Sequence, residues 1–183
     1  MADASRCRRE GSNIDSAREL ETLSADATES LAEQLGAACR GGELLLLSGE
    51  LGAGKTCFVR GLARGLGADP RAVRSPSFTL MQSYAARRNV TLHHYDVYFT
   101  SALADLERAG LFESLAAGDV AAIEWGDRFA ATLPPDRLEI TLRHRGVERR
   151  QIRLFASGPR AMALLTTLFP GPPRESGRPE TAR

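Results

Sequence analysis

Apolar and polar positions alternate along the chain in patterns that predict its elements. Ala27, Leu31, Leu35 and Ala38 recur about every four residues, which is the spacing of one face of an α-helix. Ser24 can cap that helix, Asp26 and Glu29 lie in its first turn, and Gly41 and Gly42 end it. Glu43–Ser48 follows with four consecutive leucines. A short apolar run bounded by glycines predicts a strand buried on both faces, in the middle of a sheet. A glycine-rich loop comes next, then a helix from Lys55 to about Gly65. Phe78–Tyr84 and Val90–Tyr98 predict strands, and Leu103–Leu115 a mainly helical stretch. Val120-Ala121-Ala122-Ile123 makes Asp119–Glu124 another buried strand. Leu138, Ile140 and Leu142 alternate with polar residues, as do Ile152 and Leu154, so an antiparallel hairpin, half exposed, is expected to turn at Gly146. A last helix is expected over Pro159–Phe169, with Met162, Leu165 and Phe169 on one face.

Strands alternating with helices give an α/β fold, here a mostly parallel sheet flanked by helices with an antiparallel hairpin extension. Residues 1–21 are polar and without clear period, and are expected to form a loose arm. Residues 22–170 form the single expected domain. The Pro-, Gly- and charge-rich stretch 171–183 is expected to be a disordered tail. A length of 183 residues suits one domain and can bury a core without staples.

Composition narrows the function. The 24 basic and 23 acidic residues leave a net charge of +1. A balanced charge argues against non-specific coating of nucleic acid or membrane, which needs a broad positive field. Cys7, Cys39 and Cys57 include no C-x-x-C pair, which suits neither a disulfide framework nor a zinc site and fits a reducing cytosol. The first residues carry arginines with no apolar stretch behind them, and no run approaches the ~18 apolar residues of a membrane span, so a cytoplasmic protein is expected. Of the basic residues, 23 are arginines, and Lys55 is the one lysine.

That lysine stands in Gly49-Glu50-Leu51-Gly52-Ala53-Gly54-Lys55-Thr56, a complete G-x-x-x-x-G-K-[ST] pattern. Such a loop wraps a diphosphate with inward-pointing backbone N–H groups, and glycines permit the positive φ angles that this requires. The helix that follows aims its positive end at the same phosphates. Lys55 can reach the β- and γ-phosphates as a compact charge, and the Thr56 hydroxyl can bind Mg²⁺. An apolar strand before the loop and a helix-compatible segment after it meet the context that the motif needs.

A magnesium-triphosphate site takes a carboxylate from the end of a buried strand. Glu124, which closes Val120–Ile123, is the favoured candidate, and Asp96 in Val90–Tyr98 is the other. His93 and His94 read as packing or surface residues. Trp125 is either a core or edge aromatic, or a wall of the nucleotide site or a partner surface. ATP is the preferred nucleotide, because a guanine-reading Asn/Thr-Lys-x-Asp segment needs a second lysine. No Leu-Ser-Gly-Gly-Gln stretch of a transport cassette occurs. A small-metabolite kinase and a nucleotide-gated adaptor remain open. Arg143, Arg145, Arg149, Arg150 and Arg153 form either a solvated face or a docking surface for RNA or an acidic protein.

Several segments together resemble the TsaE (YjeE) family of ATPases of bacterial tRNA threonylcarbamoyladenosine biosynthesis. They are Gly49–Thr56 with Phe58–Leu62 behind it, Ser75-Pro76-Ser77-Phe78-Thr79-Leu80, His94-Tyr95-Asp96-Val97-Tyr98, Ile123-Glu124-Trp125 and Leu133–Ile140, in family order over about residues 22–157. The resemblance implies a small Mg²⁺-dependent P-loop ATPase, slow alone. It would act with the partner proteins TsaB and TsaD, which modify the adenosine beside the anticodon in tRNAs reading codons that begin with A. ATP hydrolysis would drive or reset that pair rather than perform the transfer. By position, Thr56 and Glu124 would bind Mg²⁺, Asp96 would be the second acid, and Lys55, Asp96 and Glu124 would be catalytic. Ser77 would lie in a segment sensing the γ-phosphate. Glu50, Leu51, Gly52, Ala53 and Gly54 would hold the phosphates with Lys55 and Thr56, and Ala25 would lie near the adenine. The chain departs from the family pattern at Cys57, Ser77, Phe99 and Gly126-Asp127.

Overall fold

Four leucines in a row can all be buried only in a strand covered on both faces. The computed structural model, which describes residues 16–100 and 102–170, places them so. In chain order the elements are β1 (Ala17–Thr22), α1 (Ala25–Ala38), β2 (Leu44–Ser48), α2 (Lys55–Leu66), β3 (Met81–Ala85), β4 (Thr91–Asp96), α3 (Leu103–Arg108), α4 (Leu111–Ala116), β5 (Val120–Glu124), β6 (Arg137–His144), β7 (Arg150–Ser157) and α5 (Pro159–Leu168). The strands form one seven-stranded sheet in the order β1-β7-β6-β2-β5-β4-β3, with β2 at its centre. β2 runs parallel to β5 and β6, and β5 parallel to β4. The antiparallel strands are added at the two edges: β3 beside β4, and β7 then β1 beside β6.

Each face of β2 feeds its own core. Leu45 and Leu47 pack with Leu35 of α1, Phe58 and Leu62 of α2 and Leu164 of α5. Leu44 and Leu46 pack with Tyr95, Ile123, Leu106 of α3 and Leu111 of α4. The fold class is the α/β arrangement expected, with the hairpin as an antiparallel extension.

Three local expectations change. Residues 17–21, expected within a loose arm, belong to β1 and pair with β7, Leu20 opposite Ile152. Their pattern looks polar because Glu19 and Glu21 are exposed and only Leu20 packs against the core. The strand expected from Phe78 begins at Met81, after Leu80 takes a positive φ of 65°. The helix expected over Leu103–Leu115 breaks into α3 and α4 at Gly110, which has a φ of 80°. Residues 1–15 of the expected arm and the tail 171–183 lie outside the described residues. Among the described residues, no helix is long and apolar enough to cross a membrane.

α1 and α2 approach unusually closely. A Cβ added at Gly61 would stand 2.2 Å from the Glu29 carbonyl oxygen, and one at Gly65 2.1 Å from that of Glu33. Arg60 and Arg64 seal the rim: Arg60 meets Glu29 at 2.9 Å, and Arg64 bridges Glu29 and Glu33. Gly61→Ala should therefore lower the free energy of unfolding by about 1–3 kcal/mol, measured by urea denaturation, because the helices must part. An increase of about 1 kcal/mol, the gain expected from alanine in an unconstrained helix, would contradict this packing.

Candidate functional site

β2 ends at Ser48, and the chain must turn at once to start α2. Gly49 makes that turn with a φ of 139°, where a side chain would strike the Leu142 carbonyl oxygen, 2.3 Å from an added Cβ. Gly54 precedes the helix in the left-handed region at φ 106°. Between them the loop curls over the first turn of α2, the arrangement that gathers backbone N–H groups around an anion.

Lys55 starts α2 and folds back under the loop. Its Nζ donates to the carbonyl oxygens of Gly49 at 2.8 Å and Glu50 at 3.0 Å, and lies 3.7 Å from the centroid of the Trp125 ring. Burial pushes the ammonium below the usual lysine range, while the carboxylates of Glu124, Asp96, Asp127 and Glu50 pull the other way. Trp125 holds its place through a left-handed backbone, φ 63°, and an N–H bond to the Leu47 carbonyl at 2.7 Å. Trp125 is thus a wall of the site.

The two candidate acids end neighbouring parallel strands, and Asp96 stands opposite Glu124 in the β4–β5 register. Their environments differ. Glu124 Oε1 accepts from Thr56 Oγ1 at 2.7 Å and lies 2.9 Å from His94 Nε2. Asp96 Oδ2 accepts from the hydroxyls of Ser75 at 2.6 Å and Ser77 at 2.5 Å, and Oδ1 from the Tyr98 N–H at 3.0 Å. The Ser75–Leu80 segment thus closes over Asp96 instead of joining a strand.

These groups border one pocket of about 510 Å³. Of the residues expected to form the site, Leu51, Gly52, Gly54, Lys55, Thr56, Asp96 and Glu124 line it. Ala53 is buried beneath the loop, and the exposed Glu50 accepts from the His144 N–H at 3.4 Å. Ala25 is not in the lining. It sits beside α2, its carbonyl oxygen 3.6 Å from Cys57 Sγ. The Cys57 thiol is pushed up to about 11, chiefly by burial.

Sequence reasoning passed over two contributors. His94 reads in the sequence as a packing or surface residue, and nothing in its spacing shows that it reaches Glu124. Arg150, one of the hairpin arginines, donates from Nε to the Ala53 carbonyl at 3.0 Å and so braces the loop. Its partner is 97 positions away, a separation that no local pattern reports. At the mouth of the pocket, exposed Phe78 (95 %) and Phe99 (67 %) belong to its lining, stack on each other and continue through Tyr98 to Trp125.

The threonine hydroxyl and the strand-end carboxylates supply oxygens suited to a hard cation, and the glycine loop and the lysine supply N–H donors suited to a phosphate beside it. Among the described residues no three His, Cys, Asp or Glu side chains form a metal cluster by themselves. A cation here would be held by Thr56 and Glu124 together with phosphate oxygens.

Comparison with known proteins gives the family. The family model described as threonylcarbamoyl adenosine biosynthesis protein TsaE matches residues 22–152. The TsaE protein of Bacillus subtilis is 36 % identical over 139 residues, which cover 76 % of this chain and 85 % of that one. That of Treponema pallidum is 45 % identical over 102 residues, 56 % of this chain and 73 % of its own. The crystal structure of Bacillus subtilis YdiB superposes with a TM-score of 0.67 at 31 % identity, covering 83 % of this chain and 93 % of that chain. From its sequence and its fold, the chain belongs to the TsaE family.

Proposed function

We propose that the protein is a Mg²⁺-dependent ATPase, slow alone, that serves threonylcarbamoyladenosine modification of tRNA. It would act by driving or resetting a TsaB–TsaD pair rather than by carrying out the transfer. The observation that carries this reading is the convergence of Thr56 Oγ1 on Glu124 Oε1 at 2.7 Å, beside Lys55 and Asp96 in one pocket. The relatives' names supply the pathway.

In this reading the loop N–H groups bind the β- and γ-phosphates of ATP, and Lys55 leaves its carbonyl partners to neutralise them. Thr56 and Glu124 would hold Mg²⁺, which when bound spreads the charge that develops between the β- and γ-phosphates. Asp96, kept in place by Ser75 and Ser77, orients the attacking water in line with the leaving oxygen. Ser77 ties this acid to the loop that follows α2, so the same hydrogen bond can register whether the γ-phosphate is present. The exposed Phe78–Phe99 stack at the mouth is the surface offered to the TsaB–TsaD pair.

Three outcomes test the proposal. Lys55→Ala and Glu124→Ala should each lower ATP hydrolysis by at least about 100-fold, measured by phosphate release; normal turnover in both would remove the site. Chelation of divalent cations should stop hydrolysis in the unmodified protein. Saturating nucleotide should change the emission of Trp125, the only tryptophan, because Lys55 leaves its ring, and Lys55→Met should change it without nucleotide. A spectrum indifferent to both would contradict the Lys55 movement.

Reconstitution decides the role. Over many turnovers, TsaB and TsaD should modify tRNA faster with this chain than without it. Phosphate found on a small acceptor would instead identify a kinase, and repeated turnover with a non-hydrolysing Asp96→Asn protein a nucleotide-gated adaptor.

A further inference from the structure

The two adjacent histidines of β4 are treated very differently by the fold. His93 is satisfied at both ring nitrogens: Nδ1 lies 2.9 Å from Ser83 Oγ and Nε2 3.0 Å from Asp119 Oδ2. That arrangement ties the start of β5 to the sheet edge. His94, one residue on, faces the other way and is completely buried, at 0 % exposure. Its Nε2 lies 2.9 Å from Glu124 Oε1, but its Nδ1 is buried with no partner.

A carboxylate can only accept, so the shared proton sits on His94 Nε2. Nδ1 is left buried with no hydrogen-bond partner, an arrangement that normally costs stability and calls for an explanation. A leucine of similar size would carry no such cost. Its neighbours on the same face, Leu92 and Tyr84, are core residues, so packing alone does not call for an imidazole.

What the imidazole adds is a second hold on one oxygen. Glu124 Oε1 is gripped from the solvent side by Thr56 and from the core side by His94. Thr56 is itself a candidate metal ligand, and its hydroxyl cannot stay wholly on Glu124 once it serves that role. The core-side bond is the one that persists.

We propose that His94 is a positioning residue for the metal carboxylate: its Nε2–H fixes the Glu124 rotamer from within the core, so that cation affinity depends on a side chain that touches neither nucleotide nor solvent. The inference rests on Glu124 being a metal ligand. Removing an outer partner of this kind commonly weakens metal binding by about 10- to 100-fold.

The test compares His94→Leu, which fills the space without a donor, with His94→Gln, whose amide can place a donor near the position of Nε2. Mn²⁺ is titrated into each protein in the presence of a non-hydrolysable ATP analogue, and free Mn²⁺ is read by its paramagnetic resonance. Nucleotide affinity in EDTA and the thermal midpoint are measured alongside. His94→Leu should bind Mn²⁺ about 10- to 100-fold more weakly while keeping its metal-free nucleotide affinity and its thermal midpoint, and His94→Gln should recover most of the loss. Unchanged Mn²⁺ affinity in His94→Leu overturns the proposal. So does a parallel loss of metal binding and thermal stability in both variants, which would make His94 a structural residue only. Glu124→Ala separates the two readings: if it leaves Mn²⁺ affinity intact, Glu124 is no ligand and the site assignment itself fails.

Discussion

The hydrogen bond from Thr56 Oγ1 to Glu124 Oε1 joins residues 68 positions apart, one in the first turn of α2 and one at the end of β5. It can form only if β2 delivers the phosphate loop beside the carboxyl end of β5. The β2–β5 register does so, pairing Leu47 with Glu124. β4 then brings Asp96 level with Glu124 from the next position in the sheet. Three strand ends and one helix start are therefore fixed against each other by sheet geometry rather than by contacts among the polar groups themselves. This is the usual location of ligand sites in open α/β sheets, outside the carboxyl ends of the strands.

The rest of the molecule supports that alignment. Two cores, one per face, clamp β2 so that it cannot slip. A shift of one residue would exchange Leu45 and Leu47 with Leu44 and Leu46 and move the loop by the same step. The glycine-lined contact of α1 with α2 holds the loop helix down from outside. Arg150 reaches in from the far hairpin to hold the Ala53 carbonyl. Trp125 accepts a left-handed backbone, which costs a non-glycine residue about 1–2 kcal/mol, and so places its ring against Lys55. Strain of this sort tends to be kept where a site needs it.

Most of this frame was legible in the sequence because it rests on local patterns. The leucine run of β2, the apolar run ending at Glu124 and the alternation of β6 and β7 each announce their burial within a few residues. What stayed hidden depends on distant partners. β1 has one inward-facing apolar side chain against the core, Leu20, and the edge position that makes this sufficient exists only once β7 is in place. Phe78–Leu80 reads as the start of a strand, but Asp96 holds Ser75 and Ser77 just before it away from that path. His94 looks like any core histidine until β5 stands beside it. Leu51, Gly52, Gly54, Lys55, Thr56, Asp96 and Glu124 of the pocket could be named from the sequence, Ala25 does not line it, and the groups that brace the site belong to elements far away in the chain.

Lys55 carries the chain's single side-chain amine, and it is 5 % exposed, seated beneath the indole. Amine-directed reagents thus have one internal target, and that target is shielded whenever the loop is at rest. Acylation of this side chain proceeds only as fast as the ammonium leaves its carbonyl partners and sheds its proton. The rate of a simple labelling reaction becomes a clock for the opening of the phosphate loop, with no competing lysine anywhere in the sequence to blur it.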